Sequence, residues 1–114
     1  MAVAKYNIKL NKGVYYATTF NFKDSDNAAL NITSYTFKAE IRRDSDGELE
    51  KDFTCAITDA ISGVMKMSMS ASDTNELPED DLVYDILAKD SANNIHRYVK
   101  GKIIISDTIT DPSF

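Results

Sequence analysis

A chain of 114 residues, 43% of them hydrophobic and 27% charged, suits one globular domain with a single core. Eighteen acidic residues outnumber thirteen basic ones and give a net charge of −5, which argues against nucleic acid and anionic membranes as partners, since both attract basic surfaces. No apolar run approaches the ~20 residues of a membrane span, and the first residues lack the apolar region of a secretory signal. We therefore expect a protein made in the cytoplasm.

The N-terminal half predicts strands separated by turns. Residues 4–10 alternate loosely between apolar and polar, and residues 14–22 are rich in Thr and aromatic side chains, which strands favour. Residues 35–43 alternate cleanly, as a half-buried antiparallel strand does. The Asp-Ser-Asp-Gly sequence at 44–47 predicts a hairpin turn, because Asp-Gly tolerates positive φ. The returning strand is expected over residues 48–58.

The next segments predict one more strand and a single turn of helix. Met65, Met67 and Met69 share one face of a strand over residues 64–70, and we favour a core position for this row over an adaptable partner-binding surface. Residues 71–77 are expected to form a helical turn capped by Ser72 or Asp73 and ended by Pro78.

Residues 82–105 form the best-specified piece of the sequence, a predicted β-hairpin. Its first arm places Leu82, Tyr84, Ile86 and Ala88 on one face, and a polar loop of turn-forming residues follows at 90–94. Gly101 interrupts the second arm. A glycine inside a strand indicates a bulge or a close approach of another backbone.

These segments predict an all-β domain of seven or eight strands, an immunoglobulin-like antiparallel β-sandwich over residues 1–106, with a polar tail at 107–114. Cys55, the single cysteine, allows no internal disulfide and is expected to be a small core residue. Shared parity within the strands predicts seven largely buried side chains, namely Tyr35, Phe37, Ile41, Phe53, Ile57, Tyr84 and Ile86.

The residues contain no recognisable catalytic or metal-binding constellation, so we expect no enzyme activity, no cofactor and no metal. The Asp-rich turns at 24–26 and 44–47 resemble the start of a calcium loop, but the twelfth position after Asp44 is Cys55, where such a loop needs a bidentate Glu. The acidic run at 79–81 is interpreted as a solvated loop. His96 is the only histidine and has no nucleophile at a suggestive spacing.

Two places are candidate partner interfaces. Tyr15 and Tyr16 are adjacent, so one of them should point outward from its strand and could anchor a partner. The tail contains Pro112, which suits an extended arm, and it ends in the apolar Phe114. We expect this tail to dock on a neighbouring subunit, and a frayed terminus is the alternative.

A family resemblance rests on short segments spread over nearly the whole chain. In order they are IKLNKG at 8–13, FNFKDSD at 20–26, LNITSYTF at 30–37, AEIR at 39–42, ITDA at 57–60 with Gly63, SMS at 68–70, Thr74 before LP at 77–78, VYDI at 83–86, Gly101, and IT at 109–110. Together they resemble small virion structural proteins of tailed bacteriophages. They are similar to the N-terminal domain of baseplate upper proteins, an immunoglobulin-like domain that docks onto other virion proteins.

The resemblance implies a non-enzymatic virion structural protein present in several symmetric copies, as a capsid decoration or cement protein or as a neck, tail or baseplate adaptor. Its implied partners are other virion proteins and further copies of itself. The alternative is a carbohydrate- or host-surface-binding β-sandwich module, for which exposed aromatic rings such as those of Tyr15 and Tyr16 would stack on sugars. A small enzyme is disfavoured by the isolation of His96.

Overall fold

The computed structural model describes residues 3–111, which form eight strands and one short helix. In chain order the elements are β1 (Ala4–Lys5), β2 (Ile8–Asn11), β3 (Tyr16–Asn21), β4 (Thr36–Arg43), β5 (Leu49–Asp59), β6 (Val64–Met69), α1 (Ala71–Asn75), β7 (Leu82–Lys89) and β8 (Ile95–Ser106). The prediction of an all-β fold with seven or eight strands is confirmed.

The strands form one strongly curled sheet in the order β1-β8-β7-β4-β5-β6-β3, with β2 also beside β8. Most neighbours are antiparallel, but β1 and β2 both run parallel to β8, so the sheet is mixed. The shape is a half-barrel rather than the clear two-sheet sandwich that we expected. Strand count and alternation do not distinguish the two shapes, because both bury one face of each strand.

The curl depends on β5, which changes partners halfway along its eleven residues. The half up to Phe53 pairs with β4, and the half from Thr54 onward pairs with β6. Register shifts lie near both ends of this strand, between Ile41 and Arg42 of β4 and after Ile57 of β5. Such irregularities bend a strand and increase its twist. The curl of the sheet is therefore produced at β5.

Four of the seven predicted core side chains are buried, namely Ile41, Phe53, Tyr84 and Ile86. Tyr35 and Phe37 are only half-buried, because they lie near the start of β4, where β5 has already left the sheet. The prediction for Ile57 is wrong, since its side chain is 37% exposed. This residue lies in the second half of β5, beyond the bend.

The methionine row of β6 is buried, which confirms the core position of Met65, Met67 and Met69. Cys55 opposite Met67 is half-buried and packs against the core. The structure also buries Ile32, which lies in the loop between β3 and β4. Its N–H donates to the carbonyl of Ala60 at 2.8 Å, so a well-fixed loop contributes to the core.

Gly101 makes the close backbone approach that the sequence predicted. A Cβ at this position would lie 2.0 Å from the carbonyl oxygen of Tyr6. That residue joins β1 to β2, its N–H donates to the carbonyl of Lys100 at 2.9 Å, and its carbonyl accepts from the Tyr84 hydroxyl at 2.6 Å. Glycine is required here because the backbone that joins β1 to β2 packs directly against β8 at this residue.

The short helix α1 lies within the expected range 71–77, but its N-cap comes before both predicted caps. Its cap is Ser70, whose hydroxyl accepts from the N–H of Asp73 at 3.2 Å, so the predicted caps Ser72 and Asp73 are wrong. Thr74 is fully buried and ties the helix to the N-terminal segment. Its hydroxyl donates to the carbonyl of Val14 at 2.9 Å and accepts from the N–H of Gly13 at 3.1 Å.

Candidate interaction surfaces

The two ends of the curled sheet face each other across an open cleft, which we call the seam. Strand β1 pairs only with β8, and β3 pairs only with β6, so each has one free edge within the described residues. The cleft between them has a volume of about 440 Å³. Its walls are residues 4–6 on one side and 18–23 on the other, with Tyr98 and Val99 of β8 nearby.

Aromatic rings cross the seam in place of backbone hydrogen bonds. The ring centroids of Tyr6 and Phe20 lie 5.7 Å apart in an edge-to-face arrangement. Phe22 continues the cluster at 6.2 Å from Phe20 and 5.3 Å from Tyr98. Edge-to-face and offset ring pairs stabilise such clusters beyond simple burial. The rings therefore hold the two edges near each other without closing the barrel.

The free edge of β3 presents unpaired backbone donors. The N–H of Phe22 donates to the carbonyl of Gly63, next to β6, at 2.8 Å. Because N–H groups alternate in direction along a strand, those of Phe20 and Thr18 also face β6, while those of Thr19 and Ala17 point away from the sheet. Both Ala17 and Thr19 are exposed. This edge can accept another strand without disturbing the existing ladder.

Tyr15 and Tyr16 lie at the start of β3 and face in opposite directions. Tyr16 is half-buried, with its ring centroid 6.2 Å from that of Phe53, and burial raises the pKa of its hydroxyl. Tyr15 is 56% exposed, and the Lys66 ammonium lies 6.0 Å from its ring centroid. Tyr15 is thus the outward member of the pair. The other two candidates, Pro112 and Phe114, lie outside the described residues.

The structure also shows a second candidate surface, a positively charged one that was not predicted from the sequence. The outward side chains of β1, β2, β4, β7 and β8 carry eight cations, and we call this surface the basic face. Its cations are Lys5, Lys9, Lys38, Arg42, Lys89, Arg97, Lys100 and Lys102. The signal was present in the alternation, since these residues occupy the positions between the buried ones, but the net charge of −5 concealed it.

The acidic run at 79–81 is exposed, as predicted for a solvated loop, and His96 is exposed as well. His96 Nε2 lies 2.9 Å from a carboxylate oxygen of Asp90. This hydrogen bond, together with those from backbone N–H groups of the 90–94 loop, holds the pKa of the Asp90 carboxyl below its usual value. Within residues 3–111, no group of three or more His, Cys, Asp or Glu side chains could hold a metal ion. That same part of the chain has no helix long and apolar enough to cross a membrane.

The geometry thus offers two candidate surfaces, the seam and the basic face, and two exposed tyrosines, Tyr6 at the seam and Tyr15. The alternative prediction of a carbohydrate-binding module stays a prediction. Comparison of the sequence with protein-family profiles and with curated proteins finds no match to either.

Proposed function

We propose that this protein is a non-enzymatic bacteriophage virion structural protein that docks onto other virion proteins through the open seam of its sheet. The seam is the observation that carries the proposal, since both of its edges are unpaired among the described residues. The sequence resemblance to phage virion proteins supplies the biological setting. Either position implied by that resemblance, on the capsid surface or in the neck, tail or baseplate, is compatible with docking through an edge.

An edge strand recruits partners through its backbone. Exposed N–H and C=O groups pair with an incoming strand, and the side chains beside them select its sequence. Here the outward N–H groups of Ala17 and Thr19 supply the hydrogen bonds, and the apolar seam beside them receives side chains. The exposed Tyr6 and Tyr15 add aromatic contact area. Tyrosine is one of the residue types enriched at the centre of protein interfaces.

Proline at the free edge tests this docking mode. The change Thr19→Pro removes an outward N–H, keeps the ladder to β6, and is compatible with an edge strand. The matched control Thr19→Val keeps the N–H and a β-branched side chain. We expect the proline variant to remain folded by circular dichroism but to lose attachment to particles that lack the protein. Equal attachment of the proline and valine variants would exclude docking through this edge.

The virion assignment has its own test, which is quantitative mass spectrometry of purified particles. Hundreds of copies per particle would indicate the capsid, and about a dozen or fewer the neck or baseplate, because copy number follows the symmetry of the site. Absence from particles would refute the assignment.

The predicted docking of the tail is tested separately from the seam. Deletion of residues 111–114 removes both Pro112 and Phe114. Weaker attachment of the truncated protein would support the tail as an arm. The arm hypothesis would be refuted by two results together. The truncated protein would attach as tightly as the full chain, and the tail of the full chain would stay sensitive to protease in assembled particles.

A further inference from the structure

Charge is strongly segregated on this acidic protein. The five strands of the basic face carry eight outward cations and, among the described residues, only two outward carboxylates, Glu40 and Asp85. The exposed Asp52 of β5, the register partner of Glu40, borders the face. A protein that needed charge only for solubility would intersperse the two signs.

The ion pairs on the basic face leave most of its lysines unneutralised. Glu40 pairs with Arg42 at 2.8 Å and with Lys38 at 3.3 Å, and Asp85 pairs with Arg97 at 3.1 Å. No carboxylate of the described chain lies within ion-pair distance of Lys5, Lys9, Lys89, Lys100 or Lys102.

Two of these lysines are placed against each other. Lys5 of β1 and Lys100 of β8 are direct partners in the register, and both are exposed. Like charges opposite each other destabilise a sheet. Beside them is a surface depression of about 420 Å³, which is also lined by Arg42 and Arg97 and by the carboxylates of Glu40 and Asp85. These carboxylates pair with the two arginines and not with the lysines, so the ammonium groups of Lys5 and Lys100 remain available to an anionic group from another molecule.

The surrounding side chains indicate what kind of anion fits. Val83, Leu87, Ile95 and Ile104 share the basic face, and Ile95 and Ile104 are exposed. None of the outward strand positions on this face carries an aromatic side chain in the part of the chain that the structure describes. Proteins that hold single-stranded nucleic acid stack its bases on aromatic rings, whereas aliphatic side chains beside cations suit a protein surface with carboxylates.

This chain itself has a matching acidic surface, which we call the acidic end. It lies where β4 ends and β7 begins and comprises Asp44, Glu79, Asp80, Asp81 and Asp107. Lys102 of the basic face lines the same depression, so the acidic end adjoins the basic face. The N–H of Asp44 donates to the carbonyl of Asp81 at 2.9 Å, which joins the hairpin turn to the acidic loop. A hydrogen bond from the neighbouring Asp107 raises the pKa of Glu79, as expected for crowded carboxyl groups.

We propose that the basic face of one copy binds the acidic end of a second copy of this chain. Each copy carries both surfaces, so the contact either closes two copies as a two-fold dimer, with each face on the other copy's end, or repeats from copy to copy as a ring or a chain. Complementary charges select the partner and the register, and the aliphatic side chains contribute buried apolar area. This inference does not depend on the virion assignment or on the seam.

Sedimentation velocity of the full chain at about 20 mM and about 300 mM NaCl tests the contact, because the screening length shortens severalfold over that range. We expect concentration-dependent self-association at low salt whose dissociation constant rises about tenfold or more at high salt. A chain that stays monomeric at low salt up to millimolar concentration would overturn the proposal.

Charge reversal identifies the two surfaces. The double change Lys5→Glu, Lys100→Glu reverses the basic face, and Asp44→Lys, Asp81→Lys reverses the acidic end; none of these four side chains has an ion-pair partner in the described chain. Each variant alone should lose association at least tenfold. The control Lys23→Glu, Lys66→Glu makes the net charge more negative by the same amount as the face variant but lies off the basic face, and it should associate almost as the wild type does.

Mixing the two reversed variants gives the decisive result. The reversed face of one then matches the reversed end of the other, and the two unchanged surfaces also match, so the mixture should form oligomers that contain both variants. Their formation also shows that both variants are folded. Absence of mixed oligomers, or self-association of the face variant equal to that of the control, would overturn the proposal. Salt-sensitive binding of heparin by a chain that does not self-associate would also overturn it, and would assign the face to a different polyanion.

Discussion

The two longest strands of this protein show how pairing determines burial. Strand β8 has twelve residues and lies between β7 on one side and β1 and β2 on the other. Strand β5 has eleven residues, but β4 covers one half and β6 the other, so each half has only one paired edge. The predicted core residue in the second half of β5, Ile57, is accordingly 37% exposed. A regular apolar pattern therefore does not ensure burial where a strand leaves its sheet.

The largest expected effect is at Gly101, where the double pairing of β8 is tightest. In the Gly101→Ala variant the added methyl group would collide with the carbonyl of Tyr6 at 2.0 Å and displace the junction of β1 and β2. Overpacking and the loss of two hydrogen bonds should lower the free energy of unfolding by about 4–5 kcal/mol. Urea denaturation measures this change.

The matched control for Gly101 is Gly47→Asn. Gly47 has a φ of +72° and open space around it, a conformation that asparagine tolerates. This change should lower the free energy of unfolding by less than about 1 kcal/mol. Similar effects at the two glycines would contradict the close packing of the Tyr6 carbonyl against Gly101.

The next effect separates the two halves of β5. Phe53 is 6% exposed, and its ring centroid lies 6.0 Å from that of Tyr84. The Phe53→Ala change should lower the free energy of unfolding by about 3–4 kcal/mol, whereas Ile57→Ala should lower it by about 1 kcal/mol. Chemical denaturation of both variants under the same conditions measures the difference. Equal losses would mean that β5 is buried along its whole length and does not change partner strands after Phe53.

The smallest effect concerns Cys55, two residues beyond the point where β5 changes partners. Burial raises the pKa of its thiol from 9.0 to about 11. Because the folded pKa is the higher one, this group stabilises the fold fully below about pH 9, and the contribution falls as the pH rises toward about 11. At pH 8 the folded chain should react with a thiol reagent far more slowly than the chain in urea. Equal rates would show that the second half of β5 opens readily.

Several features of the fold could be predicted from the sequence because they depend on neighbours along the chain. The hairpin of β7 and β8, the buried Met65, Met67 and Met69, and the Asp-Gly turn follow from period-two alternation and from turn chemistry. The close backbone approach at Gly101 could be expected for a similar reason, since a glycine inside a strand usually marks a bulge or such an approach. The outward position of one tyrosine at 15–16 also follows from strand geometry.

What only the tertiary structure decided depends on residues far apart in sequence. Alternation states which side chains share a face, but it does not state where a strand leaves its sheet, so the exposure of Ile57 required the path of β5. The parallel pairing of β1 and β2 with β8 and the resulting seam likewise join opposite ends of the chain. The basic face is the clearest case. Its lysines come from five strands, and only the register of those strands places Lys5 opposite Lys100, because charge at a surface is the sum over neighbours in space and not along the sequence.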